Sequence, residues 1–175
     1  AHPNLTIQII ENVQDLLETM QPLVKTHGVL IHSMAVSDYM PIYMTGFEQI
    51  TASQDLTEFL NKTNDQGKIS SKDEYQVLFL KQTPKIISQV KKWNPNIRLI
   101  GFKLLVGVSK EELLTVARAS LIKNKAEIIV ANDLYDISNN QHHAFLVKQD
   151  SVIEATTKEE IAQLLLTHIH TKDNL

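Results

Sequence analysis

Residues 98–133 read RLIGFKLLVGVSKEELLTVARASLIKNKAEIIVAND, and this stretch decides the fold. Arg98 to Lys103 is a largely apolar run followed by a glycine-containing loop, the pattern of a buried strand. Ser109-Lys-Glu-Glu112 is a capping box, in which a serine hydroxyl and a glutamate satisfy each other's orphan backbone N–H groups at a helix start. Behind it Leu113, Leu114, Ala117 and Leu121 recur at helical spacing, and Glu127 to Val130 is a second strand ending in Ala131-Asn132-Asp133. Strand, helix and strand in succession build a parallel sheet.

The same alternation extends in both directions. Leu5 to Ile10 is β-branched and apolar and reads as a strand; Asn12 then caps a helix carrying Val13, Leu16, Leu17, Met20, Leu23 and Val24, which Pro22 should kink or interrupt. Val29-Leu30-Ile31 is a short buried strand opening into the small, polar loop His32 to Tyr39. Tyr75 to Lys81 alternates as a strand does, and Thr83-Pro84 reads as a cap and first-turn proline for a helix to about Trp93. Ala144 to Lys148 and Val152 to Ala155 form a hairpin pattern, after which Thr157-Lys-Glu-Glu160 caps a last helix. The expected fold is three-layer α/β: a mostly parallel, Rossmann-like sheet with helices on both faces and an antiparallel edge hairpin. Periodicity weakens from about Met44 to Glu74, apart from a helical candidate at Asp55 to Leu60, which predicts a flexible lid (44–74) within one domain over 1–175.

Composition narrows the function. The 175 residues are 43% hydrophobic and 21% charged, which suits one soluble core, and no apolar run approaches the roughly 18 residues of a membrane span. Zero cysteines exclude disulfides and thiolate metal sites and suit a reducing, cytoplasmic compartment. A net charge of −3 with mixed signs offers no field for nucleic acid. There is no Walker loop, no dinucleotide glycine fingerprint, no serine elbow and no credible metal-ligand cluster. The adjacent His142 and His143 point apart in a strand, and His168 and His170 do not share a helix face.

Three strand ends carry polar groups: His32 to Tyr39, Gly101-Phe102-Lys103 and Ala131-Asn132-Asp133. At one edge of a sheet they would form a single cleft. Taken singly, Asp38, Asn132 and Asp133 are ordinary loop caps, and Lys68, Lys72, Lys123 and Lys125 are ordinary solvent-facing lysines.

Taken together, Ile31-His-Ser-Met-Ala-Val-Ser-Asp-Tyr-Met-Pro41, Lys68-Ile-Ser-Ser71, Thr83-Pro-Lys-Ile-Ile87, Ile100-Gly-Phe102 and Ile128-Ile-Val-Ala-Asn-Asp133 resemble, in order, the motifs of phosphopantothenate–cysteine ligases of the free-standing bacterial type. The resemblance implies that CTP or ATP, with Mg²⁺, activates the carboxylate of 4'-phosphopantothenate to an acyl-nucleotide, which L-cysteine then converts to an amide. It implies a homodimer. It places Ser33, Met34, Ala35 and Asp38 along nucleotide and intermediate, with Mg²⁺ possible near Asp38. Phe102 would lie on the base or ribose with Pro84, Lys85 and Ile86 nearby, Asn132 on the cleft floor, and Lys68 at the amide-forming step. Where fused relatives carry phosphate-binding lysines this chain has Ser120 and Asn124, leaving Lys123 and Lys125 as substitutes. The family's opening strand and glycine-rich turn, expected before Leu5, are not in this sequence. The alternatives are a catalytically silent nucleotide-binding module and, from another class, a dehydrogenase-like domain, which lacks its fingerprint.

Overall fold

Every residue from Ile128 to Asp133 is buried, as a central strand covered on both faces requires. The computed structural model describes residues 3–64, 72–138 and 141–172. Its elements are α1 (Val13–Thr26), β1 (Val29–His32), β2 (Tyr39–Gly46), α2 (Phe47–Ala52), a 3₁₀ turn (Leu56–Asn61), β3 (Gln76–Gln82), α3 (Ile87–Trp93), β4 (Arg98–Leu105), α4 (Lys110–Asn124), β5 (Ile128–Asp133), β6 (Ala144–Val147), β7 (Val152–Ala155) and α5 (Lys158–Lys172). The chain forms two compact units, Ala1–Ala35 with Ile86–Leu175, and Val36–Lys85.

The first unit is the predicted α/β layer structure. Its sheet runs β1-β4-β5-β6-β7, with β1, β4 and β5 parallel and β6 and β7 antiparallel at the far side. Alternate residues of β5 face opposite layers. Ile128 and Val130 join Ile100, Leu146 and the α5 residues Ile161 and Leu165, while Ile129 and Ala131 join Leu113, Ala117 and Leu121 of α4. The capping reading holds: Ser109 Oγ accepts from Glu112 N–H at 3.1 Å, and Thr157 Oγ1 from Glu160 N–H at 3.1 Å.

Two expectations are corrected, one at the start of the chain and one ahead of α3. Leu5 to Ile10 is not a strand, and Leu5, Ile7 and Ile9 are exposed; a β-branched run makes a strand only where a neighbour pairs with it. An open apolar groove of about 290 Å³, lined by Ile10, Leu16, Met20, Val24 and Val29 among others, separates this segment from β1. Helix α1 continues through Pro22 to Thr26. Thr83-Pro84 does not open α3, which begins at Ile87.

The second unit pairs β2 antiparallel to β3, with a register shift between Pro41 and Tyr43. Regular structure, β2, α2 and the 3₁₀ turn, occupies much of the stretch read as lid. Phe59 is the reason: it is buried and stacks on Phe79 (centroids 5.5 Å apart) and Tyr43 (6.1 Å). Asn64 closes this part by accepting from Met44 N–H at 2.6 Å and donating to its carbonyl at 3.0 Å. The rest of the lid assignment, residues 65–71, lies outside the described residues. Among the described residues no helix is long and apolar enough to cross a membrane.

Candidate functional site

Parallel strands put their carboxyl ends at one edge, so His32 on β1, Lys103 to Leu105 on β4 and Asn132-Asp133 on β5 fall together. Phe102 is in register with Val130, two residues before Asn132, so Phe102 and Asn132 stand on the same face. Phe102 is half-buried against the α5 side of the core, and Asn132 is buried. Ser33, Met34 and Ala35 continue from β1 as an exposed, irregular segment. Burial lowers the pKa of His32 at the head of that segment.

Asp133 has a different task from its neighbour. Its carboxylate accepts from Val108 N–H at 2.7 Å, Tyr135 N–H at 2.8 Å and Gly107 N–H at 3.0 Å, which fastens the β4–α4 turn to the end of β5. Gly107 has φ of 66°, a left-handed conformation that favours glycine, and a Cβ there would meet the Tyr135 ring at 3.0 Å. The N–H groups of Val108, Gly107 and Tyr135, in that order, hold the Asp133 carboxyl below the usual carboxylate range. Asp133→Asn, which turns an NH₂ toward one of those donors, should lower the thermal unfolding midpoint by several degrees at pH 7. A depressed folded pKa contributes stability above the unfolded value and loses it as pH falls through the folded one. The gap between wild type and variant in urea should therefore be constant above about pH 5 and narrow below about pH 4.

In the second unit, Thr83 links the ends of the β2–β3 pair. Its N–H donates to the Asp38 carbonyl at 2.9 Å and its hydroxyl to the Ser37 carbonyl, which is why it is not a helix cap. The Asp38 carboxylate is paired with the Lys85 ammonium, both side chains about half exposed. Pro84 and Lys85 are exposed, while Ile86, the first residue of the other unit's second segment, is buried.

Other assigned residues are not brought to the strand carboxyl edge. Lys123 and Lys125 lie at the C-terminus of α4, Lys125 in left-handed conformation as its cap, and so at the amino end of β5, opposite Asn132. That end belongs to an ion cluster in which Arg98 pairs with Glu127 at 3.2 Å and donates to the carbonyls of His168 and Ile169, with His168 Nε2 3.0 Å from Glu127. Ser120 and Asn124 bond each other within the helix. Lys68 lies outside the described residues. Among the described residues no group of three or more His, Asp or Glu gathers as a metal site, and Asp38, matched by Lys85, does not fit a magnesium ligand. The sequence reading missed His142, whose Nε2 lies 3.4 Å from the Asn132 amide nitrogen.

A sheet with a parallel β1-β4-β5 core, an antiparallel hairpin at its edge and helices packed on both faces defines a Rossmann-like α/β protein. Residues 47–172 match the family described as the DNA/pantothenate metabolism flavoprotein C-terminal domain, and the chain belongs to that family. It is similar to the solved DNA/pantothenate metabolism flavoprotein of Streptococcus pneumoniae, with 59% identity and a TM-score of 0.91 over 98% of this chain and 75% of that one. It is 30% identical, over 91% of its length, to the coenzyme A biosynthesis bifunctional protein CoaBC of Thermococcus kodakarensis, 36% of which it covers. The chain thus spans about a third of that curated relative. It shares its fold with the Cab2 mutant H337A solved in complex with phosphopantothenate-cysteine (TM-score 0.62, 13% identity, covering 94% of this chain and 51% of that one).

Proposed function

We propose that this chain forms the ligase part of an enzyme that joins L-cysteine to 4'-phosphopantothenate in coenzyme A biosynthesis. The observation that carries the reading is the family match across the part of the chain holding Lys68, Phe102 and Asn132. The coenzyme A role in the name of the Thermococcus relative and the ligand in the Cab2 complex support it.

The chemistry follows from the substrates. A carboxylate is a poor acyl donor because oxide is a poor leaving group. A carboxylate oxygen of phosphopantothenate attacks the α-phosphorus of CTP or ATP, the bond to the β-phosphate breaks, and pyrophosphate leaves. The cysteine amine then attacks the acyl carbon and expels the nucleoside monophosphate, the amine proton passing to solvent. Such steps are accelerated chiefly by positioning and charge neutralisation. In this reading Phe102 packs on base or ribose, Asn132 supplies a fixed polar contact from the sheet edge, the segment Ser33 to Asp38 lines the intermediate, and Lys68 serves the second step. The absence of cysteine from the chain suits the reducing cytoplasm where free cysteine is the substrate.

The full-length protein should convert phosphopantothenate, cysteine and CTP or ATP to phosphopantothenoylcysteine with equimolar pyrophosphate, and kcat/KM for the two nucleotides should rank them. Nucleotide binding without pyrophosphate release would leave only the silent module.

A homodimer is part of the proposal, and the second unit supplies a surface for it. Phe79 and Tyr43 use one face of the β2–β3 pair, whereas Leu78 and Leu80 on the other face are exposed, close to half of their area each. Leu80→Asp should convert a sedimenting dimer to monomer without unfolding the sheet of the first unit. A variant that stays dimeric would move the interface elsewhere.

A further inference from the structure

Asn132 is buried at the end of β5, and its amide nitrogen has one ring nitrogen as neighbour, His142 Nε2 at 3.4 Å. His142 is fixed from its own backbone: its N–H donates to the Thr156 carbonyl at 2.8 Å and it forms a bridge with Ile137. The other ring nitrogen, Nδ1, is buried and has no hydrogen-bond partner among the described residues. Leaving such an atom unsatisfied is costly, so packing alone would favour an apolar side chain at this position. Desolvation, and then the charge of Lys158, lower the imidazole pKa and favour its neutral form, which has one acceptor nitrogen.

We propose that His142 is a positioning residue: its Nε2 accepts from the Asn132 NH₂, which turns the Asn132 carboxamide oxygen outward as a fixed acceptor for a donor group of the bound nucleotide, an exocyclic amine or a ribose hydroxyl. The proton then sits on Nδ1, and the orphan N–H is the cost of holding the amide in one of its two orientations. A contact of 3.4 Å is long for a hydrogen bond, as site contacts often are before ligand binds. The inference rests on the nucleotide role given to Asn132 above.

The test uses the full-length protein and two variants. His142→Leu removes the acceptor and keeps the bulk; His142→Gln places a carbonyl oxygen near the position of Nε2. His142→Leu should raise the nucleotide KM of pyrophosphate release about 3- to 10-fold, the value of one neutral hydrogen bond, with kcat little changed and no loss of thermal stability. His142→Gln should restore most of that KM. Equal impairment of Leu and Gln, or an unchanged KM in His142→Leu, overturns the proposal. A readout free of activity is the Asn132 side-chain amide in a ¹⁵N spectrum. One of its protons should be shifted downfield in the unmodified protein and return toward the free-amide position in His142→Leu; no such difference overturns the pairing itself. Failure of the unmodified protein to release pyrophosphate would instead sink the ligase reading, and the spectrum would still decide whether His142 holds Asn132.

Discussion

Lys68→Gln in the full-length protein is expected to slow product formation by about 10²- to 10³-fold while pyrophosphate is still released and the acyl-nucleotide accumulates. The expectation comes from charge. When the cysteine amine attacks the acyl carbon, negative charge grows first on the carbonyl oxygen and then on the departing nucleoside monophosphate, and a lysine ammonium placed there is worth most while it grows. Glutamine keeps length and polarity but has no charge, so it separates electrostatic help from space-filling. In the proposed reading the first step places its charge on the departing pyrophosphate rather than at the acyl centre assigned to Lys68, so activation should survive. Quenched single-turnover samples analysed by mass spectrometry report both species at once. Product at the parental rate would remove Lys68 from the mechanism; loss of pyrophosphate release as well would move it to the first step.

Asp38→Asn is expected to reduce pyrophosphate release at least about tenfold and to leave the unfolding midpoint within about 2 °C. The pairing with Lys85 explains both halves. An ion pair this exposed contributes about 0.5 kcal/mol or less to folding, so its loss is minor for stability. In the proposed reading it would hold an ammonium beside the segment assigned to the nucleotide, where an uncommitted lysine would spread over many rotamers. The double variant with Lys85→Met distinguishes the routes. If Asp38 acts by holding Lys85, the two losses should overlap and the double variant should resemble Lys85→Met alone; if Asp38 meets the ligand directly, they should add.

How far the sequence could be read depends on where each residue finds its partner. The unit β4–α4–β5 was legible because Ser109, Glu112 and the leucine spacing settle it locally, and the edge hairpin for the same reason. Thr83 misled because its hydroxyl prefers Ser37, 46 residues away, over the helix beside it. Leu5 to Ile10 misled because pairing is a property of neighbours. Strand β2 escaped notice behind Pro41 and its register shift, whereas the helical candidate at Asp55 to Leu60 corresponds to the 3₁₀ turn that carries Phe59. Lys123 and Lys125 could have been placed from topology alone: a helix that feeds a parallel strand ends at the edge opposite that strand's carboxyl end. Phe102 and Asn132 share a face of the sheet, but β4 runs on to Leu105, so Phe102 lies inside the strand rather than at the end the sequence suggests. The contact of Asn132 with His142 crosses a ten-residue excursion and leaves no mark on the local pattern.

Oxygen transfer tests the central claim most directly. Phosphopantothenate labelled with ¹⁸O in its carboxylate, incubated with the full-length protein, cysteine and CTP or ATP, should deliver one ¹⁸O to the nucleoside monophosphate, because the bond made to the α-phosphorus is kept when the amine breaks the acyl–oxygen bond. Pyrophosphate should be unlabelled. Label appearing in inorganic phosphate, beside a nucleoside diphosphate, or an unlabelled monophosphate accompanying product, would contradict activation through an acyl-nucleotide.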